Sequence, residues 1–65
     1  MSDTVICRAA NQMIKRYSDK AAMKAALRAN AAMEIGDMFN SELWNRVTVS
    51  VQELERTNPP GKALN

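Results

Sequence analysis

Cys7 carries the intrinsically most nucleophilic side chain in this sequence, and no histidine accompanies it. A catalytic thiol needs a general base within hydrogen-bond reach and a further group that orients the base. Without either, a small residue near the start of an apolar helical face is expected to pack rather than react. The carboxylates Glu34, Asp37 and Glu42 form the next cluster along the chain. As metal ligands they lack both histidine and an extended oxygen-rich loop. Glu34 and Asp37 flank Gly36 between two helical stretches, where capping accounts for them more simply. No catalytic, cofactor or metal residue is assigned, and neither an enzyme nor a small-molecule substrate is expected.

Charge offers a different chemistry. Arg8, Lys15, Arg16, Lys20, Lys24 and Arg28 oppose only Asp3 and Asp19 in residues 1–32, a balance of +4. Residues 33–65 carry Glu34, Asp37, Glu42, Glu53 and Glu55 against Arg46, Arg56 and Lys62, a balance of −2. If the halves pack together, mutual charge complementarity is the plainer expectation. A basic face for an acidic partner, including nucleic acid, is the sharper one.

The apolar candidates are of another kind. Trp44 and Tyr17 combine a large ring with a hydrogen-bonding edge, and both are expected in the core with that edge at its rim. Trp44 is also a candidate interface anchor. Met38 and Phe39, next to Gly36, are candidates for an exposed adhesive patch, and Val49 for a contact surface. The five methionines are otherwise expected to fill the core.

The elements that must position these groups read as helices. Val5, Ile6, Ala9, Ala10, Met13, Ile14 and Tyr17 recur in steps of three and four, with Ser2 or Asp3 as the cap. Ser18-Asp19 then forms a joint, and either residue can cap the next helix. That second helix is rich in alanine, which has the highest helix propensity and little bulk, so neighbours can approach closely. Met23, Leu27, Met33 and Ile35 are expected to supply its larger apolar surface. Asn30 must be exposed or find a partner.

Gly36 reads as a C-cap, and Asp37, Asn40 or Ser41 can open the third helix. Leu43, Trp44, Val47, Val51 and Leu54 make its apolar stripe. Val47, Val49 and Val51 alternate as a strand would. Helix is preferred because a lone strand has nothing to pair with and both flanks favour helix. Asn58-Pro59-Pro60-Gly61 stops the helix, and a flexible tail is expected over 58–65.

The expected fold is all-α: one domain over 1–57 with helices at about 3–17, 19–35 and 38–57, the last two forming an αα-hairpin crossed by the first. At 65 residues such a chain buries only about 60% of its unfolded surface. With no disulfide or zinc site to assist it, close packing or self-association, for instance a homodimer, must stabilise it. The hairpin also invites comparison with a DNA-binding helix-turn-helix. Aligning Gly36 with that motif's turn glycine puts Ala32 at the usual small position, but Glu42 and Asn45 then fall where apolar packing is required. A shape likeness to one tetratricopeptide unit lacks the signature residues.

A lone thiol suits a reducing compartment. No signal peptide or stretch of roughly 20 apolar residues is recognised, so a cytoplasmic protein without membrane contact is expected. Ala10-Asn11, Ile14, Arg16-Tyr17, Ala21, Arg28-Ala29, Gly36-Asp37, Trp44, Val47, Leu54 and Pro60-Gly61 together resemble a group of very short alphaproteobacterial proteins of unknown function. Ser18 stands where that pattern has glycine. The resemblance implies a bacterial, cytoplasmic helical protein and transfers no catalytic residue. The expected function is a small protein-interaction module, adaptor or regulatory, bound to a protein partner or to itself. The alternative is a nucleic-acid-associated regulator that uses the basic half.

Overall fold

The computed structural model describes residues 2–57. Helix α1 spans Asp3–Tyr17, α2 spans Ala21–Glu34 and α3 spans Met38–Thr57, with no strand among the described residues. The expected tail over 58–65 lies outside them. Ser2 opens α1: its Oγ accepts from the Val5 N–H at 3.3 Å. Lys15 and Arg16 sit in the last turn of α1, the end whose partial charge suits cations.

The first joint differs from the expected loop. A 3-10 turn over Ser18–Lys20 joins α1 to α2 with no loop between them, and Ser18 alone takes a positive φ in the run from residue 3 to residue 34. The described residues thus form two helical stretches, 3–34 bent at Ser18 and 38–57, rather than three helices separated by loops. Neither Ser18 nor Asp19 caps α2; the N-cap position falls on Lys20, which makes no side-chain capping bond.

The bend is concentrated at Ser18, with φ 52° and ψ −121°. A Cβ is crowded there, and glycine is the residue this backbone favours. Ser18→Gly is expected to stabilise the fold by about 1 kcal/mol, as relief of strain outweighs the freer unfolded chain. Thermal unfolding followed by circular dichroism checks this; a lower melting temperature would contradict the strain.

The second joint follows the expected chemistry. The Gly36 N–H donates to Met33 O at 3.0 Å and the Asp37 N–H to Ala32 O at 2.8 Å, the paired bonds of a Schellman cap. Gly36 takes φ +78°, which a side chain would strain. Asp37, rather than Asn40 or Ser41, opens α3. Its Oδ1 accepts from the Asn40 N–H at 3.2 Å and its Oδ2 from the Asn40 side-chain amide at 2.7 Å. The Asn40 side-chain amide first, and its backbone N–H second, hold the Asp37 carboxyl below its ordinary 3.8; slight burial opposes them. Both joints are short, and the second is held by backbone bonds and by the Asp37–Asn40 side-chain bonds together.

The β-branched run of α3 stays helical. Thr48 Oγ1 donates back to Trp44 O at 2.8 Å, which satisfies its hydroxyl within the helix. At the far end Thr57 Oγ1 donates to the carbonyls of Glu53 and Leu54 at 3.1 Å and 3.2 Å, within the last turns of the helix.

The core lies where α1 crosses the α2–α3 hairpin. Ile6, Ala10 and Met13 of α1 meet Ala21 and Ala25 of α2 and Val47 and Val51 of α3. Nearer the turn, Ala29, Ala32 and Ser41 are buried as well. The buried face of α2 is alanine throughout. Small side chains admit the neighbouring backbone closely, so contact rather than bulk fills the interior. Trp44, Tyr17, Leu43 and Leu54 pack against this core half-buried. Trp44 is therefore a rim residue, not the centre of the core.

Several expected core residues are outside. Met23, Leu27, Met33 and Ile35 are exposed, as is Val5 of α1. The reason is angular: burying the 21-25-29-32 row turns Met23 and Leu27 to the opposite side of α2. Of the methionines expected to fill the core, only Met13 does so among the described residues. Cys7, read as packing, is also exposed. Asn30 is exposed, as one of its two options required.

Candidate binding surfaces

A groove of about 390 Å³ opens along one flank of α1. Arg8, Gln12 and Arg16 recur every four residues along α1 and form one wall. Ala9 and Met13 lie beside them, with Val5 at one end. Tyr17, Arg28 of α2 and Trp44 of α3 complete the groove. Three guanidinium groups and two aromatic rings thus share one concavity that no carboxylate lines.

The rings hold the cations in place. Arg28 Cζ sits over the Trp44 ring, 5.0 Å from its centroid. Arg16 Cζ and Lys24 Nζ lie 5.9 Å and 5.5 Å from the Tyr17 centroid. Such contacts attract a cation to the negative face of the ring and keep a guanidinium's in-plane donors unspent.

The expected charge complementarity between the halves is not made by direct pairing. Among the described residues the one ion pair joins Glu42 and Arg46, 3.1 Å apart within α3. Arg8, Lys15, Arg16, Lys20, Lys24 and Arg28 have no carboxylate within bridging distance there. The fold gathers Arg8, Arg16 and Arg28 into the groove and sets Lys24 on Tyr17. It leaves Lys15 and Lys20 elsewhere on the surface.

On the other flank of α1 lies a second, wider depression of about 540 Å³. Asp3, Glu42 and Glu53 line it, with Arg46 the only cation and Val49 and Cys7 among the neutral residues. The two flanks of α1 therefore carry opposite charge.

The third surface is the tip at Gly36. Met38 and Phe39, in the first turn of α3, are 61% and 64% exposed. Met33 and Ile35, at the end of α2, are exposed beside them in the chain. The four interaction candidates thus separate: Met38 and Phe39 at the tip, Trp44 in the basic groove, Val49 in the acidic depression.

Met33 and Ile35, expected as part of the larger apolar surface of α2, stand exposed at the tip. Gln12 was missed, although its four-residue spacing from Arg8 and Arg16 was a visible signal. Among the described residues, no three of His, Cys, Asp and Glu come together as metal ligands would. No described helix is long and apolar enough to cross a membrane. No family model matches this chain, and no curated protein or solved structure matches it either.

Proposed function

We propose that this chain is a small protein-interaction module, adaptor or regulatory, whose primary docking element is the apolar tip at Gly36. The exposure of Met33, Ile35, Met38 and Phe39 around one rigid turn carries the reading. Methionine and phenylalanine are enriched at protein interfaces, and grouped exposed apolar side chains mark contact sites. The turn is already held by the Schellman and Asp37 caps, so docking requires little ordering. A second copy of the chain and a different protein are both compatible occupants of the tip. A bacterial cytoplasmic setting belongs to the same proposal and rests on the unpaired thiol and the resemblance.

A photoreactive phenylalanine analogue at position 39 tests the reading. Irradiation is expected to give protein adducts, homomeric or heteromeric, that are missing when the analogue replaces Lys15. A lack of adducts at position 39 in the native cell would sink it.

The cations of the basic half, unpaired among the described residues, give a second reading, nucleic-acid binding through Arg8, Lys15, Arg16, Lys20, Lys24 and Arg28. It predicts salt-sensitive binding of labelled oligonucleotides. Unchanged fluorescence anisotropy at low salt removes it.

A further inference from the structure

We propose that the groove between α1 and the hairpin is a receptor for a short acidic segment of a polypeptide, one that carries an apolar side chain between its carboxylates. This rests on the reading of the chain as a protein-binding module but uses a surface distinct from the tip. The two can therefore fail separately.

Charge complementarity selects the occupant. Arg8, Arg16 and Arg28 face a concavity without a carboxylate, and no ion pair consumes them among the described residues. A guanidinium offers a planar fork of donors that matches a carboxylate in bidentate fashion. Arg28 over Trp44 and Arg16 over Tyr17 are held by the rings, which lowers the ordering cost of binding.

Spacing and floor add to this. Arg8 and Arg16 are eight residues apart on α1, roughly 12 Å along the axis. Carboxylates about four residues apart on an extended segment span a similar distance. On such a segment the residue midway points to the same side, since alternate side chains share a face. Ala9 and Met13 lie where that side chain would arrive.

Nucleic acid fits less well. Single strands bind by stacking bases on exposed rings. Here Arg28 covers the Trp44 ring, and Arg16 and Lys24 approach that of Tyr17. A volume of about 390 Å³ holds a few side chains rather than a length of strand.

Trp44 is the only tryptophan, so its emission reports on the groove directly. The probe is a blocked heptapeptide with glutamates at its second and sixth positions, leucine at its fourth and serines elsewhere. It is expected to change Trp44 emission saturably, with a Kd below about 1 mM. Replacing both glutamates by glutamine is expected to weaken binding about tenfold or more, the effect of losing charge-assisted hydrogen bonds.

Calorimetry, which does not depend on the indole, is expected to show a similar loss for Arg16→Gln and for Arg28→Lys. Arg28→Lys keeps the charge and removes the fork. Lys15→Gln, outside the groove, is expected to bind as the parent does, and circular dichroism confirms that each variant is folded. No saturable response, an equal response to the glutamine peptide, or an equal loss from Lys15→Gln overturns the proposal. So does tighter binding of a ten-residue thymidine oligonucleotide, which would transfer the groove to nucleic acid.

Discussion

Ala25→Leu is expected to lower the melting temperature by about 10–20 °C. Ala25 is fully buried on the α2 face that meets both α1 and α3. Three added carbons at a position with no exposed surface must push on their neighbours, so the helices separate or the side chain leaves its rotamer. Overpacking of this kind costs about 1–3 kcal/mol. In a domain this small each kcal/mol moves the midpoint by about 4–8 °C. The total stability of such a domain is itself only a few kcal/mol. Ala31→Leu is the control, since Ala31 is exposed on the same helix. It is expected to shift stability by no more than about 0.5 kcal/mol. If the two variants melt together in circular dichroism, α2 does not pack through its alanines.

Val47→Ala is expected to cost about 2 kcal/mol, and Val49→Ala almost nothing. The first deletes two buried methyl-sized groups and leaves a cavity in a core that has little else to collapse into it. Val47 is 0% exposed and Val49 54% exposed, although both lie in α3. A helix rotates residues two apart by about 200°, whereas a strand returns them to one face. The pair therefore separates the two backbone conformations that the Val47-Val49-Val51 alternation leaves open. Equal losses at both positions, read from urea unfolding, would point to an extended segment. Alanine at position 49 has the better helix propensity, so a slight gain there agrees with the fold.

These contrasts show what could be read from residue order and what could not. The all-helical architecture and the fold-back at Gly36 were legible because local chemistry encodes them. Apolar steps of three and four, a glycine in left-handed backbone and an aspartate after it all act within a few residues. The first joint was less legible. Ser18 and Asp19 are good caps by type, yet the turn there keeps helical bonding and forces Ser18 to a positive φ.

The core was harder still. In α2 both faces carry apolar residues, alanine on one and Met23 and Leu27 on the other, and bulk favoured the wrong one. What decides is that three helices of a short chain gain more from many close contacts than from a few large side chains held apart. The groove was half legible. Six basic residues and two aromatics were evident as types, but only the hairpin's register places Arg28 over Trp44. Lys15 and Lys20 looked equivalent to the arginines and are not.

Both proposed surfaces depend on an interior built mostly of alanine and valine, with Ile6 and Met13, that leaves the other large side chains free for partners. Brief oxidation of the folded protein by hydrogen peroxide, read by peptide mass spectrometry, tests this in one measurement, since sulfoxide formation follows exposure. Met23, Met33 and Met38 are expected to oxidise rapidly and Met13 at least about tenfold more slowly, in line with their exposed and buried positions. Met13 reacting as fast as the other three, or Met23 protected in dilute monomer, would contradict the packing on which both proposed surfaces stand.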